Sequence, residues 1–179
     1  MQRVSVVGMS GSGKSTLARA VAERLDVPCI ELDAIYHHGP NWEHLPADEF
    51  LAEVDRRTTA GGWVVDGNYR AVVREGPVWD RADTVVWLDL PRPQAMRQVT
   101  WRSLRRAVTR AELWNGNRER LRDVCSLDPL RSMPTYVWTQ YDRKNAYLEA
   151  AMTDPVRAHL AWVRLRSHAE AATWLGSLG

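Results

Sequence analysis

Gly8, Gly13, Lys14 and Ser15 occupy the spacing G-x-x-x-x-G-K-S/T, with Gly11 between them and Ser10, Ser12 and Thr16 filling the rest of the stretch. Glycines at these places let backbone amides turn inward and approach a phosphate closely, and the N-terminus of a following helix adds its positive end. Lys14 then reaches the β- and γ-phosphates, and the Ser15 hydroxyl ligates the magnesium ion that bridges them. The chain has 24 Lys plus Arg, of which only Lys14 and Lys144 are lysines, so a lysine at a motif position is informative. A turn that merely joins a strand to a helix needs none of this set. The stretch predicts binding of a nucleoside triphosphate, read as ATP, with Mg²⁺, the donor held by Gly8, Ser10, Gly11, Ser12, Gly13, Lys14, Ser15 and Thr16.

Such a loop works only between a buried strand and a helix. Val4, Val6 and Val7 form a β-branched run before it, and Leu17, Ala18, Val21, Ala22 and Leu25 recur behind it at helical spacing. Further strands are predicted at 28–32, 63–67, 83–90 and 157–165, and helices at 47–60 and 169–175. This alternation predicts a three-layer α/β fold with a mostly parallel sheet, and ligands at the C-terminal ends of its strands. Between the fourth and fifth strands, residues 93–152 form a largely helical excursion longer than a crossover needs.

With 179 residues, 45% hydrophobic and 26% charged, the chain reads as one soluble domain over its whole length. The net charge of +2 gives no general argument for nucleic acid or an anionic membrane as partner. Cys29 and Cys125 form no disulfide framework, no signal-peptide pattern opens the chain, and no apolar run approaches the roughly 20 residues of a membrane span. A cytoplasmic protein without a membrane role is expected.

The charge is segregated. Residues 92–122 carry nine arginines against the two acids Glu112 and Glu119. Arg102, Arg105, Arg106 and Arg110 share one helical face, and Trp101, Leu104, Val108 and Ala111 lie on the neighbouring face. The apolar seam is expected to dock the helix while the arginines meet an anion, for which a triphosphate is the economical choice; a solvated basic face is the alternative. A nucleic-acid stripe is not established, because aromatic interleaving is limited to Trp101 and Trp114. Residues 131–152 read as a helix begun after Pro134, from which Arg143 and Lys144 can reach back toward phosphates.

At "GMSGSGKST", "WVVDGNYR" and "VVWLDLPR" the chain resembles the adenylate-kinase-like group of P-loop kinases. In "ELDAIYH", "VVDGNYR", "VVWLDLP" and "AELWNGNRE" it is most similar to the bacterial DNA topology modulation proteins of that group, over residues 1 to about 175. The resemblance implies a five-stranded parallel sheet, an Arg-rich helical lid over the donor at about 93–130, and an acceptor site after the second strand, at about 33–60. It also implies roles for Asp66 and Arg70, similar to the D-G-x-x-R of nucleoside monophosphate kinases: the aspartate orients water on magnesium and the arginine grips the acceptor's phosphate. Asp89 is a competing strand-end carboxylate. Asp33 takes the place of an acceptor base, with His37, His38 and Trp42 beside it, and Arg166 and Ser167 take the place of the segment that lines the donor base. One departure counts against a monophosphate acceptor: residues 31–55 contain no arginine.

The expected activity is therefore transfer of the ATP γ-phosphoryl group to a small acceptor, a nucleotide, nucleoside or other hydroxyl compound, with Lys14, Asp33, Asp66, Arg70, Arg102, Arg106 and Arg110 as the acting residues. The alternative is a nucleotide-dependent regulator acting on DNA or a protein.

Overall fold

The computed structural model describes residues 1–178. Its elements in order are β1 (Arg3–Gly8), α1 (Lys14–Leu25), β2 (Cys29–Glu31), α2 (Leu32–Tyr36), α3 (Ala47–Thr58), β3 (Trp63–Asp66), α4 (Pro77–Arg81), β4 (Thr84–Leu88), α5 (Arg92–Thr109), α6 (Leu121–Val124), α7 (Met133–Met152), β5 (Ala161–Leu165) and α8 (His168–Gly176). The five strands form one parallel sheet in the order β2-β3-β1-β4-β5. β5 starts later than the pattern predicts, because Pro155–Arg157 is taken up by a short 3₁₀ turn capped by the Asp154 carboxylate.

Strand residues of alternate parity feed the two faces of the sheet. Val4, Val6, Val64 and Val86 pack with Leu17, Ala18 and Val21 of α1 and Ala171 of α8. Val7, Val65, Val85 and Trp87 face the other way, onto Phe50 and Val54 of α3, Trp79 of α4 and Leu148 of α7. Both faces are covered, which is why the central strands read as continuous apolar runs. Trp79, 1% exposed, also donates its indole N–H to the Ser5 hydroxyl at 3.1 Å.

Register aligns the functional edge. Asp66 pairs with Val6 on one side and Glu31 on the other, and Gly8 pairs with Leu88, so β2 and β3 end level with Val6 and β1 and β4 end two residues beyond, at the same edge of the sheet. The long helix α5 packs on α7 through Ala95, Val99 and Val137, a small cluster that also takes in Met9 of the phosphate loop. The expected seam of Trp101, Leu104, Val108 and Ala111 is not the docking face: Trp101 is 70% exposed and Val108 69% exposed. Ala95, Val99, Ser103 and Ala107, four residues apart, are buried instead, because small side chains let α5 lie close to its neighbours. No helix among the described residues is long and apolar enough to cross a membrane.

Candidate active site

The phosphate loop runs from the end of β1 into α1. Gly11 and Gly13 have φ of +84° and +97°, and a Cβ on Gly11 would come within 2.8 Å of the Val99 Cβ, so glycine is required twice over there. The loop is pinned to the end of β3 by Asn68, whose amide donates to the Gly8 carbonyl at 2.7 Å and accepts from the Gly8 N–H at 3.2 Å. Lys14 curls back and donates to the Met9 carbonyl at 3.0 Å. Burial is the main cause lowering its pKa to about 8, with Asp66 opposing. Ser12 keeps a buried hydroxyl without a partner.

Asp66, 7% exposed, lies beside this loop with Oδ1 buried and unpartnered. Burial raises its pKa, against the pull of the Lys14 ammonium and the Ser15 hydroxyl. A hard divalent cation with oxygen ligands fits this pair, since Mg²⁺ binds through one or two protein oxygens, phosphate and water. Asp89 is otherwise engaged, accepting from Asn145 at 3.1 Å and from Arg164 at 2.7 to 2.8 Å.

A cavity of about 270 Å³ opens from Ser10, Lys14, Ser15 and Asp66 toward Asp33, and is closed on the lid side by Arg102 and Arg106. Asp33 stands in the first turn of α2, where it accepts from the Tyr69 hydroxyl at 2.7 Å. Arg102 is largely buried, its Nε has no partner, and burial followed by repulsion from Arg106 lowers its pKa. Arg106 is held by Glu119 at 3.2 Å. Glu119, Asp33 and Asp66 offset part of that burial and repulsion, and the unpartnered Nε leaves Arg102 able to bond an arriving anion.

Other predicted positions lie apart from the cavity. Arg70 is exposed and bound to Glu75 at 2.6 Å, because Arg70–Arg74 form a single π turn that directs it outward. Arg110 is the left-handed C-cap of α5 and faces a surface groove with residues 118–123. Thr16 and Arg166 are exposed; the Arg166 amide donates to the Glu170 carboxylate at 2.8 Å, and Ser167 caps α8. Arg143 is exposed and His38 turns away, whereas His37 and Trp42 line the cavity.

Several cavity residues have no site role assigned from the sequence: Asn68, Tyr69, Trp114, Glu119, Met133 and Tyr136. Arg74 occupies the neighbouring cleft with Gly8, Asn68 and Lys144, its guanidinium 3.8 Å above the Tyr147 ring. Lys144 lines both spaces, and burial is the main cause lowering its pKa to about 8. Asn68 and Tyr69 both lie inside "VVDGNYR", two neutral residues directly before the charged Arg70.

Comparison with solved structures places this architecture. A shikimate kinase from Bacteroides thetaiotaomicron matches 99% of this chain and 96% of its own with a TM-score of 0.55 at 14% identity. A shikimate kinase from Acinetobacter baumannii, in complex with shikimate, matches with a TM-score of 0.57 at 15% identity over 99% and 90%. The fold is that of the P-loop kinases. A gluconokinase from Sinorhizobium meliloti has it too, with a TM-score of 0.51 at 19% identity over 99% and 93%.

In sequence, the chain is 30% identical to a shikimate kinase of Ruegeria pomeroyi over 105 residues, 47% of this chain and 54% of that protein. It is 26% identical over 140 residues to a bifunctional shikimate kinase/3-dehydroquinate synthase of Thermotoga maritima, 68% of this chain and 26% of that one. The chain thus spans about half the length of the first relative and about a quarter of the second. No family model matches it.

Proposed function

We propose that this P-loop kinase fold transfers the γ-phosphoryl group of ATP to a hydroxyl group of a small acceptor. The observation that carries the reading is the single cavity in which the Asp33 carboxylate faces the same space as Lys14, Ser15, Asp66 and two lid arginines. The two sequence relatives are named as shikimate kinases, which supports a small hydroxyl acceptor. Ser15 and Asp66 are the residues that would hold a magnesium ion, which would neutralise charge on the phosphates. Asp33 accepts the proton of the attacking hydroxyl while Tyr69 holds its other face. Lys14, Arg102 and Arg106 stabilise charge spreading over the transferred group, in a space from which the lid excludes water.

In this reading residues 1–179 act as one kinase unit, with the acceptor side at about 33–60 and the lid at about 93–130, nearest in its motifs to the DNA topology modulation proteins. Arg105, Arg110 and Arg120, exposed on the lid, favour the second reading, a nucleotide-dependent regulator that binds DNA.

A transfer screen decides between them: ATP and Mg²⁺ with nucleosides, nucleoside monophosphates, sugars and hydroxy acids, ADP release being read against a blank without acceptor. Acceptor-dependent ADP is expected, reduced roughly 10²- to 10⁴-fold by Asp33→Asn with the thermal midpoint retained. Blank-level release with every acceptor, together with DNA binding that requires nucleotide, overturns the kinase reading.

A further inference from the structure

One wall of the cavity is built from two segments far apart in sequence. His37 and Trp42 come from the loop after α2, and Trp114 and Glu119 from the lid segment between α5 and α6. The first loop is closed at its base by the Leu45 N–H to the Tyr36 carbonyl at 2.9 Å, but its tip is strained. Asn41 and Trp42 are consecutive non-glycine residues in the left-handed region, with φ of 57° and 62°. Such residues persist only where surrounding structure over-determines them.

That support comes from the lid. The Asn115 amide donates to the His37 carbonyl at 2.5 Å, and the Asn117 amide donates to the Gly39 carbonyl at 2.9 Å. The Trp42 N–H donates to Asn117 Oδ1 at 2.5 Å. Asn117 is 2% exposed and spends its second N–H on the Trp114 carbonyl at 2.8 Å, so its amide is bonded on both sides. The lid segment is itself a tight Asn115-Gly116 turn, with φ of 55° and 82°, closed by Leu113 N–H to the Asn117 carbonyl at 2.7 Å and by a bridge between Glu112 and Arg118. Over this joint lie the rings: His37 stacks on Trp114 with centroids 5.9 Å apart and meets Trp42 edge-on at 5.2 Å. His37 Nδ1 is buried without a partner, free for a ligand. Two residues beyond Asn117, Glu119 holds Arg106 of α5.

We propose that Asn117 is a positioning residue for acceptor specificity: through it the lid segment 112–119 fixes the 37–42 loop, so that His37, Trp42 and Trp114 form one rigid wall against the acceptor. The specificity role rests on the reading of the cavity as an acceptor site. The mechanical joint does not. Lid placement and acceptor-loop order are then one event, and an acceptor is read by rings that exist as a wall only with the lid down.

Hydrogen exchange of the full chain tests the joint, and kinetics test its use. In Asn117→Ala the amides of residues 37–45 lose protection by about tenfold or more, with phosphate-loop amides unchanged. Asn117→Asp, which still accepts from Trp42 N–H, recovers part of that protection. With an acceptor from the transfer screen, Asn117→Ala raises acceptor KM about tenfold and leaves donor KM unchanged, and Trp114→Ala alters the ranking of acceptors. Should Asn117→Ala fail to fold, Asn115→Ala, exposed and making one of these bonds, shows a smaller loss of protection in the same loop. Undiminished protection of 37–45 in these variants, or equal changes in donor and acceptor KM, overturns the proposal. If the unaltered protein phosphorylates nothing, the kinase reading falls and exchange alone decides the joint.

Discussion

The donor side and the acceptor side of the cavity are built by different physics. The donor side is nine consecutive residues, Gly8 to Thr16, between β1 and α1, backed by strand residues Val4, Val6, Val64 and Val86 that have no exposure at all. The acceptor side draws Asp33, Tyr69, Arg102, Glu119, Tyr136 and Lys144 from separate stretches of chain. It rests on the apolar clusters through Leu32, Ile35, Tyr69 and Tyr136, and its outer wall is held by side-chain hydrogen bonds to backbone and by the Arg106–Glu119 pair. One half is contiguous in sequence; the other is assembled by folding. The proposed transfer uses both, since phosphates must be gripped by a fixed cradle while the acceptor must enter and water must leave.

Removing the cradle's cation sharpens the contrast most. Lys14→Ala is expected to lower transfer by on the order of 10²–10³-fold without lowering the thermal midpoint, because it deletes a buried charge rather than packing. A midpoint that fell with activity would make Lys14 a structural residue. Next comes the frame itself. Trp79→Ala, at 1% exposure, should cost about 3–5 kcal/mol in denaturant unfolding, whereas Trp101→Ala, at 70% exposure, should stay within about 0.5 kcal/mol. Similar costs at both sites would erase the distinction drawn here.

On the assembled side, Arg102→Ala should reduce kcat on the order of 10- to 100-fold, and Arg70→Ala, whose partner is Glu75 outside the cavity, less than about twofold. The reverse order would restore the grip on acceptor phosphate that the D-G-x-x-R resemblance implies.

The smallest effect is the pH dependence. Burial lowers both Lys14 and Lys144 to about 8, so their ammonium forms are lost as pH rises through that value. The donor kcat/KM should be flat below it and fall above it, with a shallower fall in Lys144→Met. Stability moves the other way. Both folded pKa values lie below the unfolded 10.5, so between about 8 and 10.5 the unfolded chain binds more protons and unfolding free energy rises with pH. A parallel loss of activity and stability above pH 8 would sever the link to these lysines.

The same division explains what could be read without coordinates. The five strands, the phosphate loop and the parallel sheet follow from local pattern, since each needs only residues within a few positions of one another. Asp66 and Asp89 are both strand-end carboxylates in the sequence; in the fold Asp89 is bonded to Arg164 and Asn145 while Asp66 keeps a buried free oxygen. The basic stripe on α5 was legible, but not its rotation: Arg102 and Arg106 turn inward, and Arg105 and Arg110 outward, because α5 docks through Ala95, Val99, Ser103 and Ala107 rather than through its larger apolar residues. Arg70 was misplaced for a related reason, a π turn that spacing does not reveal.

The sequence by itself determined the cradle, because "GMSGSGKST" carries its own backbone geometry and its own charges within one turn of chain. Only the tertiary structure decided the acceptor wall. Asn117 is an ordinary residue in an arginine-rich stretch until folding sets it against Gly39 and Trp42, 78 and 75 positions away. Hydrogen bonds at that separation leave no periodicity behind them, and the tight Asn115-Gly116 turn that one segment forms locally does not name its distant partner.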